Sequence, residues 1–220
     1  MRDAVCSVHR PREAARVAYN RMSRWYDALA RSERRFLDAG VRMLAAPEGA
    51  RVLEIGCGTG YALTAIARAV GESGLVVGLD ISDGMLAVAK GRLQRAGLQA
   101  RALLVMGDAV ALPCAAETFD AVFMGFTLEL FADADIPAVL GECRRVLRSG
   151  GHLGVVALSR EGAGRMVRLY EWAHNRWPVW VDCRPIYVRR ALEDAGFVVI
   201  RAARERMWGL PVEIAAAARP

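Results

Sequence analysis

Residues 52–60 read VLEIGCGTG, a strand-like run followed by three glycines within five positions. The run is apolar except for one acid, Glu54. Glycines directly after a buried strand permit a tight turn, let a ligand approach the backbone closely, and leave the amino end of the next helix free to receive it. The stretch therefore predicts a strand, a ligand-binding loop and a helix, in that order.

The glycine spacing excludes two common nucleotide-binding loops. The phosphate-binding P-loop requires a Gly-Lys-Ser/Thr sequence, which does not follow here. The dinucleotide pattern GxGxxG is broken because Tyr61 stands where its third glycine belongs. A ligand without phosphate at this loop is therefore favoured, and a nicotinamide-dependent oxidoreductase is only a weak alternative.

From residue 51 onward, apolar β-type runs alternate with helical stretches. The strand-like runs are 51–55, 75–79, 102–106, 119–124 and 152–158, and the helical stretches are 60–70, 83–96 and 134–147. Past residue 159 an aromatic-rich helix at 164–177, a short helix and two more strand-like segments follow. The alternation predicts an open α/β fold, a parallel sheet covered on both faces, with its ligand site at the carboxyl ends of the strands.

The chain has 30 lysines and arginines against 24 acids, and this excess of positive charge is local. Residues 1–51 hold eleven arginines and six acids, so the remaining body is nearly neutral and no nucleic-acid partner is predicted. The five cysteines form no CxxC pair, which predicts no metal site. No apolar run approaches the ~18 to 20 residues of a membrane span, and no signal-peptide pattern opens the sequence, so we expect a cytoplasmic protein.

VLEIGCGTG resembles motif I of the class I S-adenosylmethionine (SAM)-dependent methyltransferases, and its glutamate belongs to that motif. The resemblance implies that SAM is the cofactor and that Glu54 helps to orient the loop and the aminoacyl end of SAM. The resemblance also implies that the methionine moiety of SAM is surrounded by Gly56, Cys57, Gly58 and Gly60. SAM carries an ammonium and a sulfonium, so a nearby acid would stabilise it by charge-assisted contacts. The implied fold is Rossmann-like, with a seven-stranded, mostly parallel sheet, helices on both faces and an N-terminal helical lid.

Two further acids stand where that family needs them. Asp80, in VVGLDIS, ends the second strand, and a carboxylate there can accept both ribose hydroxyls. Asp108, in VMGDAVALP, ends the third strand and resembles the residue that accepts the adenine amino group. The other cofactor contacts that the resemblance implies are Ile81, Met85, Ala109 and Gly125. It continues through FDAVFMGFTLELF and CRRVLRSGGHLGVV, and so covers about residues 50–158.

The stretch AYNRMSRWYD, residues 18–27, is similar to the YDxxSxxYD stretch of ubiquinone/menaquinone-biosynthesis methyltransferases and of some bacterial phospholipid N-methyltransferases. Tyr19, Ser23, Tyr26 and Asp27 match by position, while Asn20 replaces the usual acid. In these relatives the amino-terminal helix folds over the cofactor. Tyr19 is therefore a catalytic candidate that closes the site, and Tyr26 a candidate for contacting the acceptor. The alternative for Tyr19 is burial between two helices.

The amino-terminal helix is also basic. Arginines lie beside Met22 and Trp25, a composition that can rest on an anionic membrane surface, so peripheral contact with the inner membrane face is one interpretation. The other is a solvated arginine face with an apolar stripe docked on the sheet. A second helix is predicted from about Ser32 to Leu44, with Ser32 as its N-cap.

An aromatic segment near the carboxyl end is the candidate acceptor site. Three of the five tryptophans lie within residues 170–180, which indicates walls for a flat or greasy acceptor, or else the core of a helical cap. The predicted acceptor-binding residues there are Tyr170, Trp177 and Trp180. His174 lies among them as a candidate general base, with a structural role as the alternative, and Glu129, after the fourth strand, is a second candidate.

These features predict one methyltransferase domain over residues 1–220. Its parts are a helical lid at 1–47, a SAM-binding core at 48–158, and an aromatic cap with the final strands at 159–220. The predicted function is transfer of a methyl group from SAM to a small lipophilic, quinone-like acceptor. The alternatives are a phosphatidylethanolamine N-methyltransferase at the membrane surface and a non-catalytic SAM-binding regulatory module.

Overall fold

The computed structural model of the protein describes residues 12–23, 30–162 and 184–220, which form a seven-stranded sheet with flanking helices. The strands are β1 (Arg51–Ile55), β2 (Leu75–Asp80), β3 (Ala102–Met106), β4 (Phe119–Gly125), β5 (Leu147–Leu158), β6 (Val198–Met207) and β7 (Leu210–Ala218). Their order is β3-β2-β1-β4-β5-β7-β6. Only β7 runs antiparallel to its neighbours, which confirms the predicted mostly parallel α/β sheet.

The described helices follow the predicted stretches, and the aromatic-rich helix predicted at 164–177 lies outside the described residues. They are α1 (Arg12–Met22), α2 (Arg34–Leu44), α3 (Tyr61–Ala69), α4 (Asp83–Arg95), α5 (Ile136–Val146) and α6 (Val188–Asp194). The predicted N-cap is wrong: Ser32 lies in a 3₁₀ turn, Ala30–Glu33, and its Oγ finds no hydrogen-bond partner in the part of the chain that the structure describes. Within that part, no helix has the length and apolarity needed to cross a membrane.

Helices cover both faces of the sheet. On one face α5 and α6 bury apolar side chains such as Leu140 and Leu192, and on the other α2 and α3 bury Phe36 and Ile66. The contact under α2 is very close, because a Cβ on Gly40 would lie 2.4 Å from Cγ2 of Val156. Within the segment 1–47, α2 therefore belongs to the core layer, whereas α1 packs against α4.

The carboxyl ends of the parallel strands meet at one edge of the sheet. Five strands end there in sequence: β1 at Ile55, β2 at Asp80, β3 at Met106, β4 at Gly125 and β5 at Leu158. Each of these ends except that of β5 is followed by a residue that the sequence predicts to contact the cofactor or the acceptor. The topology thus brings the predicted site residues of the core together at this edge.

Candidate cofactor site

The glycine loop between β1 and α3 is held against the end of β2. The backbone N–H groups of Gly56 and Cys57 donate to the carbonyl of Leu79, at 2.8 and 3.0 Å, and the N–H of Gly60 donates to the carbonyl of Cys57 at 2.8 Å. All three glycines have positive φ, at +68°, +51° and +78° for Gly56, Gly58 and Gly60. A side chain would strain the backbone at each of these positions.

The three glycines differ in what surrounds them. A Cβ on Gly56 would lie 2.4 Å from Cγ2 of Thr127, and a Cβ on Gly60 would lie 3.0 Å from Cβ of Ala89. A Cβ on Gly58 would meet nothing within 4 Å. Gly56 and Gly60 are therefore required by packing, whereas Gly58 faces open space at the carboxyl edge of the sheet, where a ligand can lie.

Asp80, the last residue of β2, is 8% exposed and anchors the loop. One carboxylate oxygen accepts from the N–H of Gly58 at 2.8 Å, and the other accepts from the N–H of Ser82 at 2.9 Å. Burial raises the pKa of Asp80, and the N–H groups of Ser82 and Gly58 oppose that rise. The carboxylate is thus held at the ligand-facing glycine, where the sequence predicts the ribose hydroxyls.

Glu54 supplies an unsatisfied acceptor at the end of β1. It is 3% exposed, and its Oε2 finds no hydrogen-bond partner among residues 12–23, 30–162 and 184–220. Burial, followed by the charge of Asp80, raises its pKa well above the ordinary value. An unpaired buried carboxyl oxygen is costly, and a cationic group placed beside it would satisfy it and favour its ionised form. This residue and the open space at Gly58 fit the cationic aminoacyl end of SAM.

Two predicted contacts have packing roles. The sulfur of Cys57 lies 3.0 Å from the position of a Cβ on Gly78, and burial raises the pKa of this thiol well above its usual value. A Cβ on Gly125 would lie 2.3 Å from Cδ2 of Leu37, so the absence of a side chain at Gly125 makes room for α2. Whether Cys57 or Gly125 also touches the cofactor through its backbone stays a prediction.

The predicted adenine-side residues follow β2 and β3. Oδ1 of Asp108 accepts from the N–H of Val110 at 3.1 Å, which orients this carboxylate at the end of β3. Ala109 and Met85 are buried, at 4% and 2% exposed, and Ile81 is half-buried. These residues line the same edge of the sheet as the glycine loop, and their contact with adenine stays a prediction.

The segment after β4 carries backbone strain beside the glycine loop. Phe126 has φ of +51°, although it is not glycine, and its N–H donates to the carbonyl of Val156 at 2.7 Å. Its ring meets Phe36 edge to face with centroids 6.2 Å apart. Such strain persists only where the surroundings enforce it, and it clusters at functional sites. Thr127, the next residue, donates to the carbonyl of Gly125 at 3.0 Å and presses against Gly56.

Glu129 lies in the 3₁₀ turn Leu128–Leu130 and is 1% exposed. Its Oε1 accepts from the N–H of Leu158 at 3.1 Å, while its Oε2 has no partner among the described residues. Burial raises the pKa of Glu129 to about 8, with a smaller contribution from Glu33, whose own pKa burial raises to about 7. Glu129 thus ties the segment after β4 to the end of β5 and holds its proton near neutral pH.

The residue that sequence reasoning missed is Asn20, which fastens α1 to the start of α4. Its Oδ1 accepts from the hydroxyl of Ser82 and from the N–H of Gly84, and its Nδ2 donates to Oδ1 of Asp83 at 2.7 Å. An amide can accept and donate at once, whereas an acid at this position would face the Asp83 carboxylate. Ser23 lies next to Asn20 and packs against Gly84. Asparagine in place of the usual acid at residue 20 is therefore complementary to the carboxylate of Asp83.

Of the remaining predicted site residues, only Tyr19 lies in the part of the chain that the structure describes. Tyr19 is half-buried on α1, next to Asn20. Five others lie outside the described residues, and their roles stay predictions: Tyr26, Tyr170, His174, Trp177 and Trp180. No group of histidine, cysteine or acidic side chains suited to a metal occurs in the part of the chain that the structure describes.

Comparison with known proteins defines the class. Residues 52–151 match the family described as a methyltransferase domain. The matched residues include the glycine loop, Asp80, Asp108 and Glu129. Residues 52–151 therefore correspond to a class I SAM-dependent methyltransferase domain, whose cofactor is SAM. A SAM-dependent methyltransferase from Aquifex aeolicus has the same fold, with a TM-score of 0.67 at 22% identity over 90% of this chain and 98% of that one.

Two curated relatives narrow the comparison. The chain is 34% identical over 139 residues to the 2-phytyl-1,4-naphtoquinone methyltransferase of Thermosynechococcus vestitus, covering 63% of this chain and 60% of the relative. It is 41% identical over 108 residues to a demethylmenaquinone methyltransferase of Lactobacillus johnsonii, covering 49% and 43%. The matches thus span about half of the length of these relatives, so the similarity concerns part of each relative and not its whole length.

Proposed function

We propose that the protein transfers a methyl group from SAM to a small lipophilic acceptor of the quinone type. The observation that carries the cofactor half of this proposal is the unpaired, buried Oε2 of Glu54 near the open space at Gly58. A cationic ligand satisfies that oxygen, and an anionic dinucleotide would not. The acceptor half is supported by the relatives, whose names specify a naphthoquinone and a menaquinone precursor.

The residues of this chain would divide the work as follows. Bound SAM supplies the methyl group on a sulfonium, and the protein supplies alignment, exclusion of water and proton transfer. Asp80 and the glycine loop hold the cofactor. The strained backbone at Phe126 fixes the segment after β4, beside the loop, where an acceptor would lie. Apolar side chains in that segment, such as Leu128, provide a dry environment.

Glu129 is the described residue best suited to receive a proton from the acceptor. With a pKa of about 8, Glu129 is mostly protonated at neutral pH, and the ionised fraction that can accept a proton grows as the pH rises towards 8. Its buried Oε2 has no hydrogen-bond partner among the described residues, so it still lacks a donor. We keep Tyr19 as the residue that closes the site and His174 as the alternative base.

A direct assay tests the acceptor. The protein is incubated with labelled SAM and either a demethylated naphthoquinol or phosphatidylethanolamine, and the products are identified by mass spectrometry. Methylation of the quinol, with Gly58→Ala strongly impaired, supports the proposal. Methylation of phosphatidylethanolamine alone would replace it with the phospholipid alternative. SAM binding without turnover on either compound would favour a non-catalytic module.

A further part of the proposal is that α1 makes peripheral contact with a membrane surface. The structure reduces the net charge available there, because Arg16 donates to Glu13 at 2.6 Å and lies 3.8 Å from Asp83. Replacing Arg16 and Arg21 of α1, together with Arg24 outside the described residues, with glutamine keeps Tyr19 and removes three positive charges. Loss of activity on anionic vesicles, with full activity on a soluble acceptor, would support membrane contact. Unchanged activity on vesicles would leave α1 as a lid only.

A further inference from the structure

A basic cavity lies behind the glycine loop, between the helices α2, α3 and α4. It has a volume of about 520 Å³. The side chains that give it its character are Arg34, Asp38, Tyr61, Arg68, Arg92 and Arg95. We call this cavity the arginine pocket. It is formed by the outer surfaces of the helices and is separate from the carboxyl edge of the sheet, so the cofactor and acceptor proposals do not account for it.

The charge of the arginine pocket is strongly unbalanced. Of the described residues that line it, four carry guanidinium groups and one, Asp38, carries a carboxylate. Among the described residues, no carboxylate lies within ion-pair distance of Arg34, Arg68 or Arg95. Like charges gathered in a concave site repel one another and focus a positive potential into the cavity. A bound anion would relieve that repulsion.

Contacts with Tyr61 arrange two of these cations in advance. The guanidinium carbon of Arg34 lies 5.1 Å from the centre of the Tyr61 ring, and that of Arg92 lies 5.9 Å from it. The Tyr61 hydroxyl donates to Oδ2 of Asp38 at 3.1 Å, which holds the Tyr61 ring in place between the two arginines. Side chains fixed before binding lose less conformational entropy when a ligand arrives.

We propose that the arginine pocket binds a phosphate-bearing anion. Guanidinium groups match phosphate oxygens with paired, charge-assisted hydrogen bonds, and several of them around one cavity suit a group of two or more negative charges. The volume admits an inorganic diphosphate or the phosphodiester head of an anionic lipid. The two sources share the same chemistry at the pocket, and the experiment below separates them.

The pocket is joined to the cofactor site through the glycine loop. Nε of Arg92 donates to the carbonyl of Thr59 at 2.8 Å, and Tyr61 follows Gly60 directly as the first residue of α3. An anion that binds Arg92 therefore contacts a residue whose side chain also donates to the glycine loop. The inference goes beyond methyl transfer, since it assigns a second binding site to the same domain.

Calorimetry with inorganic diphosphate at low ionic strength tests the proposal on the full chain. The informative variant is Arg68→Gln with Arg95→Gln, because both side chains are exposed and we expect their replacement to leave the fold intact. The matched control is Arg190→Gln with Arg201→Gln, two exposed arginines elsewhere that change the net charge equally. We expect the pocket variant to weaken diphosphate binding by about tenfold or more, and the control to stay within about twofold.

Sedimentation with phosphatidylglycerol and phosphatidylcholine vesicles identifies the source of the phosphate. Loss of binding to phosphatidylglycerol in the pocket variant, but not in the control, assigns the pocket to a lipid headgroup. Unchanged vesicle binding with weakened diphosphate binding assigns it to a soluble phosphate compound. No diphosphate or vesicle binding by the wild-type protein, or equal binding by both variants, overturns the proposal. SAM affinity is measured in parallel, so a failure here is distinguished from a failure of the methyltransferase proposal.

Discussion

Replacing Gly58 with alanine separates the cost of backbone strain from the cost of blocking the cofactor. Gly58 has φ of +51°, so alanine should lower the free energy of unfolding by about 1 to 2 kcal/mol. The new Cβ meets no protein atom within 4 Å, so no packing penalty adds to this. If SAM fills that space, the alanine methyl group overpacks the complex at a cost of about 1 to 3 kcal/mol. This cost raises the SAM dissociation constant by about 5- to 150-fold.

Gly97 provides the matched control for this experiment. It has φ of +69°, its Cβ would also meet nothing within 4 Å, and it lies after the end of α4, outside the glycine loop. Gly97→Ala should therefore lower stability as much as Gly58→Ala while leaving SAM affinity unchanged. Chemical denaturation gives the two stabilities, and isothermal calorimetry gives the two affinities. Wild-type SAM affinity in Gly58→Ala would refute the placement of the cofactor at this loop.

Three further predictions follow from single side chains. Asp80→Ala should weaken SAM binding by about 1 to 3 kcal/mol, the range for a lost charged hydrogen bond, and calorimetry showing unchanged affinity would remove Asp80 from the site. Burial raises the pKa of Glu129 to about 8 from an ordinary 4.5, so the stability that its neutral form contributes is complete below about pH 4.5 and is lost as the pH rises towards 8. Urea titrations should accordingly show the wild type losing more stability than Glu129→Gln between about pH 5 and pH 8, and parallel curves would contradict this. Asn20→Asp places a second carboxylate at Asp83, so turnover and protection of α1 from proteolysis should fall, and adding Asp83→Asn should restore both. Failure of that rescue would count against the docking role of Asn20.

Local sequence was sufficient for the sheet and the glycine loop. Alternation of apolar runs with helical stretches predicted the strands, because a strand buried on both faces must be apolar and short. The loop was predictable since three glycines after a strand have few structural uses. The position of Asp80 at the same edge was predictable because strand ends in a parallel sheet converge, and its contact with the ribose stays a prediction. The Ser32 cap failed because a 3₁₀ turn replaced the first helical turn, and a polar residue near a helix start does not by itself exclude that arrangement.

The tertiary structure alone decided the roles that depend on residues distant in the sequence. Asn20 and Asp83 are 63 positions apart, and only the packing of α1 on α4 turns an apparent mismatch in a motif into a hydrogen bond. The sequence distributes arginines along three helices, and only helix packing gathers four of them around one cavity. The sequence named Glu129 as a candidate base from its place after the fourth strand, but only the tertiary structure buries it and so raises its pKa. Sequence patterns report the neighbours along the chain, whereas charge, burial and hydrogen bonding depend on neighbours in space.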